Sequence, residues 1–198
     1  MSDIDPPKRL FIAVMPPPEV QERVATLMDL LEEHRAILRP ARPEGLHFTL
    51  RFLGNATLDE ERRASEACMA AVAGVRAFPL VIGGLGVFPS DRRPRVVWLG
   101  VRDGAANLMA LQRRVEEELL RLGVITARDS FTPHLTLARV RADAAPAARA
   151  AISSYMARLP DKEQARLTVS GVSLVHSTLT PRGSIYTTLQ TAALSPHE

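Results

Sequence analysis

With 198 residues, 46% of them hydrophobic, the chain can bury a full core and suits one compact domain or two small lobes sharing a sheet. No apolar stretch approaches the roughly 20 residues of a membrane helix, and Met1–Lys8 is polar and proline-containing, so an uncleaved cytoplasmic protein is expected. The single cysteine, Cys68, excludes an internal disulfide and, within an alanine-rich run, reads as a buried and inert thiol. The net charge of +3, with arginine far outnumbering lysine, is compatible with a phosphate-rich partner, and equally with a nucleotide bias of the source genome.

In chain order, the apolar run Lys8–Met15 reads as a strand buried on both faces, ended by Pro16-Pro17-Pro18. From Glu19 to Glu33, Val20, Val24, Leu27, Met28 and Leu31 recur at helical spacing, and a Pro-rich loop at Arg39–Pro43 follows. Gly45–Leu53 alternates as a half-buried strand with His47, Thr49 and Arg51 on one face and Phe48, Leu50 and Phe52 on the other. A helix is expected at Asp59–Ala73, with Thr57 or Asp59 as its cap. Strands at Phe78–Val87 and Arg95–Val101 come next, joined by the basic turn Pro89–Pro94. The helix at Ala105–Leu122 carries Leu108, Leu111, Val115 and Leu119 on one stripe and stops at Gly123. Thr132–Val140 alternates again, with His134 and Thr136 on one face and Leu135 and Leu137 on the other. A helix at Pro146–Arg158 and strands near Leu167–Val175 and Ser184–Leu189 close the chain. Gly83-Gly84-Leu85-Gly86 lacks the lysine and spacing of a nucleotide-binding P-loop and marks a strand irregularity instead.

Alternating strands and helices, with one polar-faced strand in each half, argue for α/β or α+β architecture built as two similar, mutually packed lobes. The duplicated feature is His47-Phe48-Thr49-Leu50 and His134-Leu135-Thr136-Leu137. Side chains two apart on a strand project the same way about 6–7 Å apart, so each pair offers an imidazole and a hydroxyl to one small group. Two facing pairs would enclose a phosphate. Histidine titrates near pH 6.5, so a pair can divide the work of base and acid, while threonine hydroxyls donate to oxygens on which charge develops. No carboxylate, cysteine or third histidine stands at ligand spacing beside either one, so no metal or other cofactor is implied. His34 reads as a solvated helix end, His197 as a terminal residue, and His176 as a packing or surface residue at a strand end.

The paired motif resembles the two-histidine (2H) phosphoesterase superfamily, specifically the LigT-like RNA 2′,3′-cyclic phosphodiesterases also called 2′-5′ RNA ligases. The likeness extends to Arg9–Val14, Phe52-Leu53-Gly54, Arg95–Gly100, Pro133–Arg139 and Gly183–Tyr186, nearly the whole chain. It implies an α+β, bilobal duplicated fold: residues 1–198 as one domain of two pseudo-symmetric lobes, two antiparallel sheets flanking a central cleft, helices outside. It further implies His47 as proton donor, His134 as proton acceptor, Thr49, Thr136 and Arg139 as phosphate ligands, and Phe11 and Tyr186 as lining for a base. The implied activity is hydrolysis of RNA 2′,3′-cyclic phosphate ends to 2′-phosphates by a monomer, with 2′-5′ ligation as its reverse. Arg92 and Arg93, in the basic turn, favour RNA over the alternative of small cyclic metabolites, and a non-catalytic RNA-end binding module is the reading from another class.

Overall fold

The computed structural model describes residues 6–124, 130–159, 162–181 and 183–196, so His197 lies outside the described residues. The chain runs β1 (Lys8–Val14), α1 (Pro18–Met28), β2 (Leu38–Pro40), β3 (Phe48–Ala56), α2 (Leu58–Val72), β4 (Phe78–Phe88), β5 (Val96–Asp103), α3 (Ala105–Arg121), β6 (His134–Val140), α4 (Pro146–Met156), β7 (Glu163–Val169), β8 (Gly171–Thr180) and β9 (Gly183–Ala193). This is an α+β fold. The strands form one antiparallel sheet in the order β7-β4-β5-β6-β3-β1-β8-β9, with β2 also on β6. The two sheets implied by the resemblance are the two halves of this order, and they meet at a single register pair, Phe48 with Leu135.

Local chemistry accounts for the element ends. α1 begins with Pro18 at its first turn, where a missing N–H costs nothing, and then tightens into a 3₁₀ turn over Asp29–His34, so the helix expected to reach Glu33 ends at Met28. α2 opens on a capping box in which the Glu60 amide donates to Thr57 Oγ1 (3.3 Å) and the Thr57 amide to Glu60 Oε2 (2.8 Å). The two hydrogen bonds from Thr57 hold the Glu60 carboxyl below its ordinary pKa. α3 stops at Gly123, whose φ of 72° is the left-handed conformation that lets the Val124 amide turn back to the Leu119 carbonyl (2.8 Å).

Two sequence expectations are corrected. The loop expected at Arg39–Pro43 overlaps β2 (Leu38–Pro40), which three residues ending in a proline do not announce. The single strand expected over Leu167–Val175 is two, β7 and β8, separated by Ser170 and placed on different neighbours, β4 and β1. The glycine run of β4 does carry an irregularity, a register shift between Ile82 and Leu85.

The main core gathers Leu10, Ile12, Phe48, Leu50, Leu99, Leu135 and Leu137 from the strands with apolar stripes of the helices, including Leu108, Leu111, Val115 and Leu119 of α3. Cys68 lies within it, fully buried, and desolvation pushes its thiol pKa up to about 12, as expected of an inert cysteine. A second, small cluster of Phe11, Ala13 and Val175, with Met15 and Tyr186 against it, covers the other face of β1, which is why that strand is apolar throughout.

Candidate active site

β3 and β6 lie side by side in the middle of the sheet. Phe48 and Leu135 are both fully buried in the main core, so strand alternation turns His47, Thr49, His134 and Thr136 to the opposite face, where all four are half-buried. The four side chains of the duplicated motif therefore share one face across the joint between the two half-sheets.

The two histidines are held alike. His47 Nδ1 lies 2.7 Å from the Gly45 carbonyl, and His134 Nδ1 lies 2.8 Å from the Thr132 carbonyl, each two residues back along the chain. A carbonyl only accepts, so in both rings Nδ1 carries the proton and Nε2 is left as the nitrogen that can take or give one. Aromatic rings box each imidazole. Phe11 (4.6 Å between centroids) and Tyr186 (5.1 Å) pack on His47, while Phe88 (5.0 Å) and Trp98 (6.3 Å) pack on His134. Gly45 makes room for this packing, since a Cβ there would stand 3.2 Å from the Tyr186 ring.

This enclosure lowers both pKa values below the ordinary histidine value, chiefly by desolvation, partly offset by the hydrogen bond to the backbone carbonyl. The charge of Arg139 lowers both, and a proton on His134 disfavours one on His47, a repulsion that is mutual in Coulomb's law. The repulsion disfavours the doubly protonated pair and so separates the two protonation steps, leaving between them a singly protonated state.

Matched bulges decide what else reaches the face. Along β6, Trp98 is opposite Thr136 but Val97 is opposite Ala138, so an extra residue is accommodated; Leu137 and Ala138 are both buried, and Arg139 swings to the side of His134 and Thr136. Along β3, Ala13 is opposite Thr49 but Ile12 is opposite Arg51. Leu50 and Arg51 are consequently both buried, and Phe52 swings outward, 59% exposed. Phe52 is the register partner of Phe11, and their rings are 6.1 Å apart.

The expected assignments on β3 are thereby reversed. Arg51 does not share the face of His47 and Thr49 but turns inward, 6% exposed, and pairs with Glu116 of α3. Phe52, expected in the core, stands beside the site. Strict alternation hides it. The signal that finds it is the bulge, visible only in the register. Phe11, 2% exposed, backs the His47 ring, whereas Tyr186 is half-buried beside it. Arg92 and Arg93 are exposed in the turn between β4 and β5, outside the strands that carry the four central side chains. His176 pairs with Leu10, whose side chain is in the main core, and so faces away from the site. His34 is not a solvated end: its ring packs edge-on against Tyr155 at 4.2 Å. Among the described residues, no three His, Cys, Asp or Glu side chains are grouped to hold a metal ion, and no helix is long and apolar enough to cross a membrane.

Residues 16–180 match the model of the 2′-5′ RNA ligase superfamily. The chain belongs to this superfamily. Among its relatives is an RNA 2′,3′-cyclic phosphodiesterase of Methanothermobacter thermautotrophicus, 36% identical over 182 residues that cover 92% of this chain and 96% of the relative. One of the same name from Aeropyrum pernix is 34% identical over 84% of this chain and 92% of its own. Proteins of solved structure share the fold. TT0787 of Thermus thermophilus superposes with a TM-score of 0.79 at 26% identity, covering 96% of this chain and all of that one. Escherichia coli LigT complexed with 3′-AMP gives 0.73 at 27% identity over 95% of this chain and 98% of its own.

Proposed function

We propose that the protein hydrolyses 2′,3′-cyclic phosphates at RNA ends, leaving 2′-phosphates, with His47 and His134 as the acid–base pair. The observation that carries this reading is the matched tautomer: both imidazoles tie Nδ1 to a backbone carbonyl and keep Nε2 for proton transfer, with Thr49, Thr136 and Arg139 on the same face. The names of the curated relatives, and the 3′-AMP bound to a structural neighbour, support a nucleotide phosphate as the group that sits there.

In the proposed reaction His134 Nε2 takes a proton from water as the water oxygen bonds to phosphorus. The bond from phosphorus to the ribose O3′ breaks, and O3′ takes the proton from His47 Nε2. The assignment of donor and acceptor follows the family resemblance, since the two rings are held equivalently. The Thr49 and Thr136 hydroxyls and the Arg139 guanidinium meet the non-bridging oxygens, where charge builds in the transition state. With an RNA 5′-hydroxyl attacking phosphorus in place of water, and not by reversal of hydrolysis, the same site joins ends through a 2′-5′ linkage as O3′ leaves. Phe52 and Tyr186, both packed against Phe11, offer an aromatic surface to the terminal base. The two half-sheets, each contributing one His-x-Thr strand, support reading the chain as a single domain of two pseudo-symmetric lobes.

The test is turnover of a short RNA ending in a 2′,3′-cyclic phosphate, with chelator present and 2′- resolved from 3′-phosphate, for wild type and His134→Ala. A 2′-phosphate formed by wild type alone is expected. Turnover restricted to small cyclic phosphates would point to the metabolite reading, and binding with no turnover of either to an RNA-end binding module.

A further inference from the structure

β2 pairs Arg39 directly with Arg139 of β6. Register partners on adjacent strands share a face, so these two guanidiniums stand on the face that carries His134 and Thr136. Both residues are exposed, and among the described residues neither has a carboxylate partner. Like charges directly opposite each other on a sheet are destabilising, and nothing among the described residues compensates this pair.

The two arms lead in different directions. Arg139 acts electrostatically on both histidines, and Arg39 has another neighbour. Arg39 Nη2 lies 3.6 Å from the position a Cβ would take on Gly183, where β9 begins three residues before Tyr186. Arg39 thus extends the positive surface outward from Arg139 toward the β8–β9 hairpin.

We infer that Arg39, in register with Arg139, forms a second phosphate subsite, which takes the phosphodiester immediately upstream of the cyclic end. This rests on the proposed reading of the site as an RNA phosphodiesterase and adds to it a reason for preferring a polymer. A mononucleotide has one phosphate and satisfies Arg139 alone. An oligonucleotide supplies the second anion that the opposed arginines lack, and guanidinium suits it because its fork of donors meets phosphate oxygens two at a time.

The experiment compares wild type, Arg39→Gln and Arg39→Lys on two substrates, a mononucleoside 2′,3′-cyclic phosphate and a trinucleotide ending in the same group, over a range of salt. Arg39→Gln is expected to raise KM for the trinucleotide about tenfold and to reduce the salt slope by about one ion or less, leaving the mononucleotide unchanged. Arg39→Lys should restore part of the loss. Equal losses on both substrates, or no loss on the trinucleotide, would overturn the subsite. Anisotropy of a labelled trinucleotide gives the same comparison without catalysis. Weaker and less salt-sensitive binding by Arg39→Gln, with wild type turning over neither substrate, would keep the subsite and sink the hydrolytic reading instead.

Discussion

Phe48 and Leu135 are the one register pair that joins β3 to β6, and both side chains are fully buried. They fix where the two His-x-Thr strands meet, because each lies between the histidine and threonine of its own motif. Leu135→Ala would leave a cavity beneath both pairs. We expect a loss of about 2–5 kcal/mol in denaturant unfolding. We also expect a fall in kcat that persists under conditions where the variant is fully folded, since the site tolerates little misplacement.

In the proposed mechanism each imidazole carries one of the two proton transfers. His47→Ala and His134→Ala should each lower kcat about 100-fold or more, and the double variant should be little worse than the poorer single one, because the two act as a unit. Steady-state kinetics of the three variants with a cyclic-phosphate RNA measures this. Wild-type activity in either single variant would end the paired mechanism.

The depressed histidine pKa values have two consequences with definite signs. For kcat/KM, the proposed mechanism needs one ring neutral and the other protonated, so a bell-shaped profile against pH is expected. Because desolvation and Arg139 lower both pKa values in the free protein, its maximum is expected on the acid side of about 6.5. For stability, the folded rings resist protonation that the unfolded chain accepts. Above about pH 6.5 both states are neutral and nothing is lost; as pH falls through the unfolded value the folded state is penalised, until it too is protonated. The Tm of His47→Gln should therefore gain on that of wild type as pH is lowered from 7 to 5. A constant difference over that range would show that His47 titrates normally.

Much of this architecture was legible because its causes are local. The periodic apolar stripes of α1 and α3, the Thr57–Glu60 capping box and the stop at Gly123 follow from spacing and residue type. So does the shared face of each histidine with the threonine two residues on. What escaped depends on partners distant in sequence. β2 exists because β6 offers it a ladder, and no propensity in Leu38-Arg39-Pro40 requires a strand. Phe88 beside His134 is brought in by a hairpin whose register is set elsewhere in the sheet, and Tyr186 beside His47, brought in by another, is implied only by the family resemblance. The break at Ser170 separates residues that read as one run because both β7 and β8 bury apolar side chains.

The bulge in β3 makes the sharpest distinction between pattern and structure, since it exchanges the places of Arg51 and Phe52. If strict alternation held, Arg51→Ala would weaken substrate binding and Phe52→Ala would open a core cavity. The structure reverses both outcomes. Arg51→Ala strands Glu116 and should cost about 2–3 kcal/mol of stability, less than a fully buried pair because Glu116 is partly exposed, with KM nearly unchanged in the folded fraction. Phe52→Ala removes an exposed ring and should leave Tm within about 1 °C. It should raise KM for an RNA cyclic phosphate about 5-fold or more through lost base stacking, while sparing a base-free cyclic phosphate of glycerol. Phe52→Trp should retain affinity and Phe52→Leu should not, because only a flat π face stacks on a base. Equal effects on the RNA and the base-free substrate would assign Phe52 to the shape of the site, and take the base off its ring.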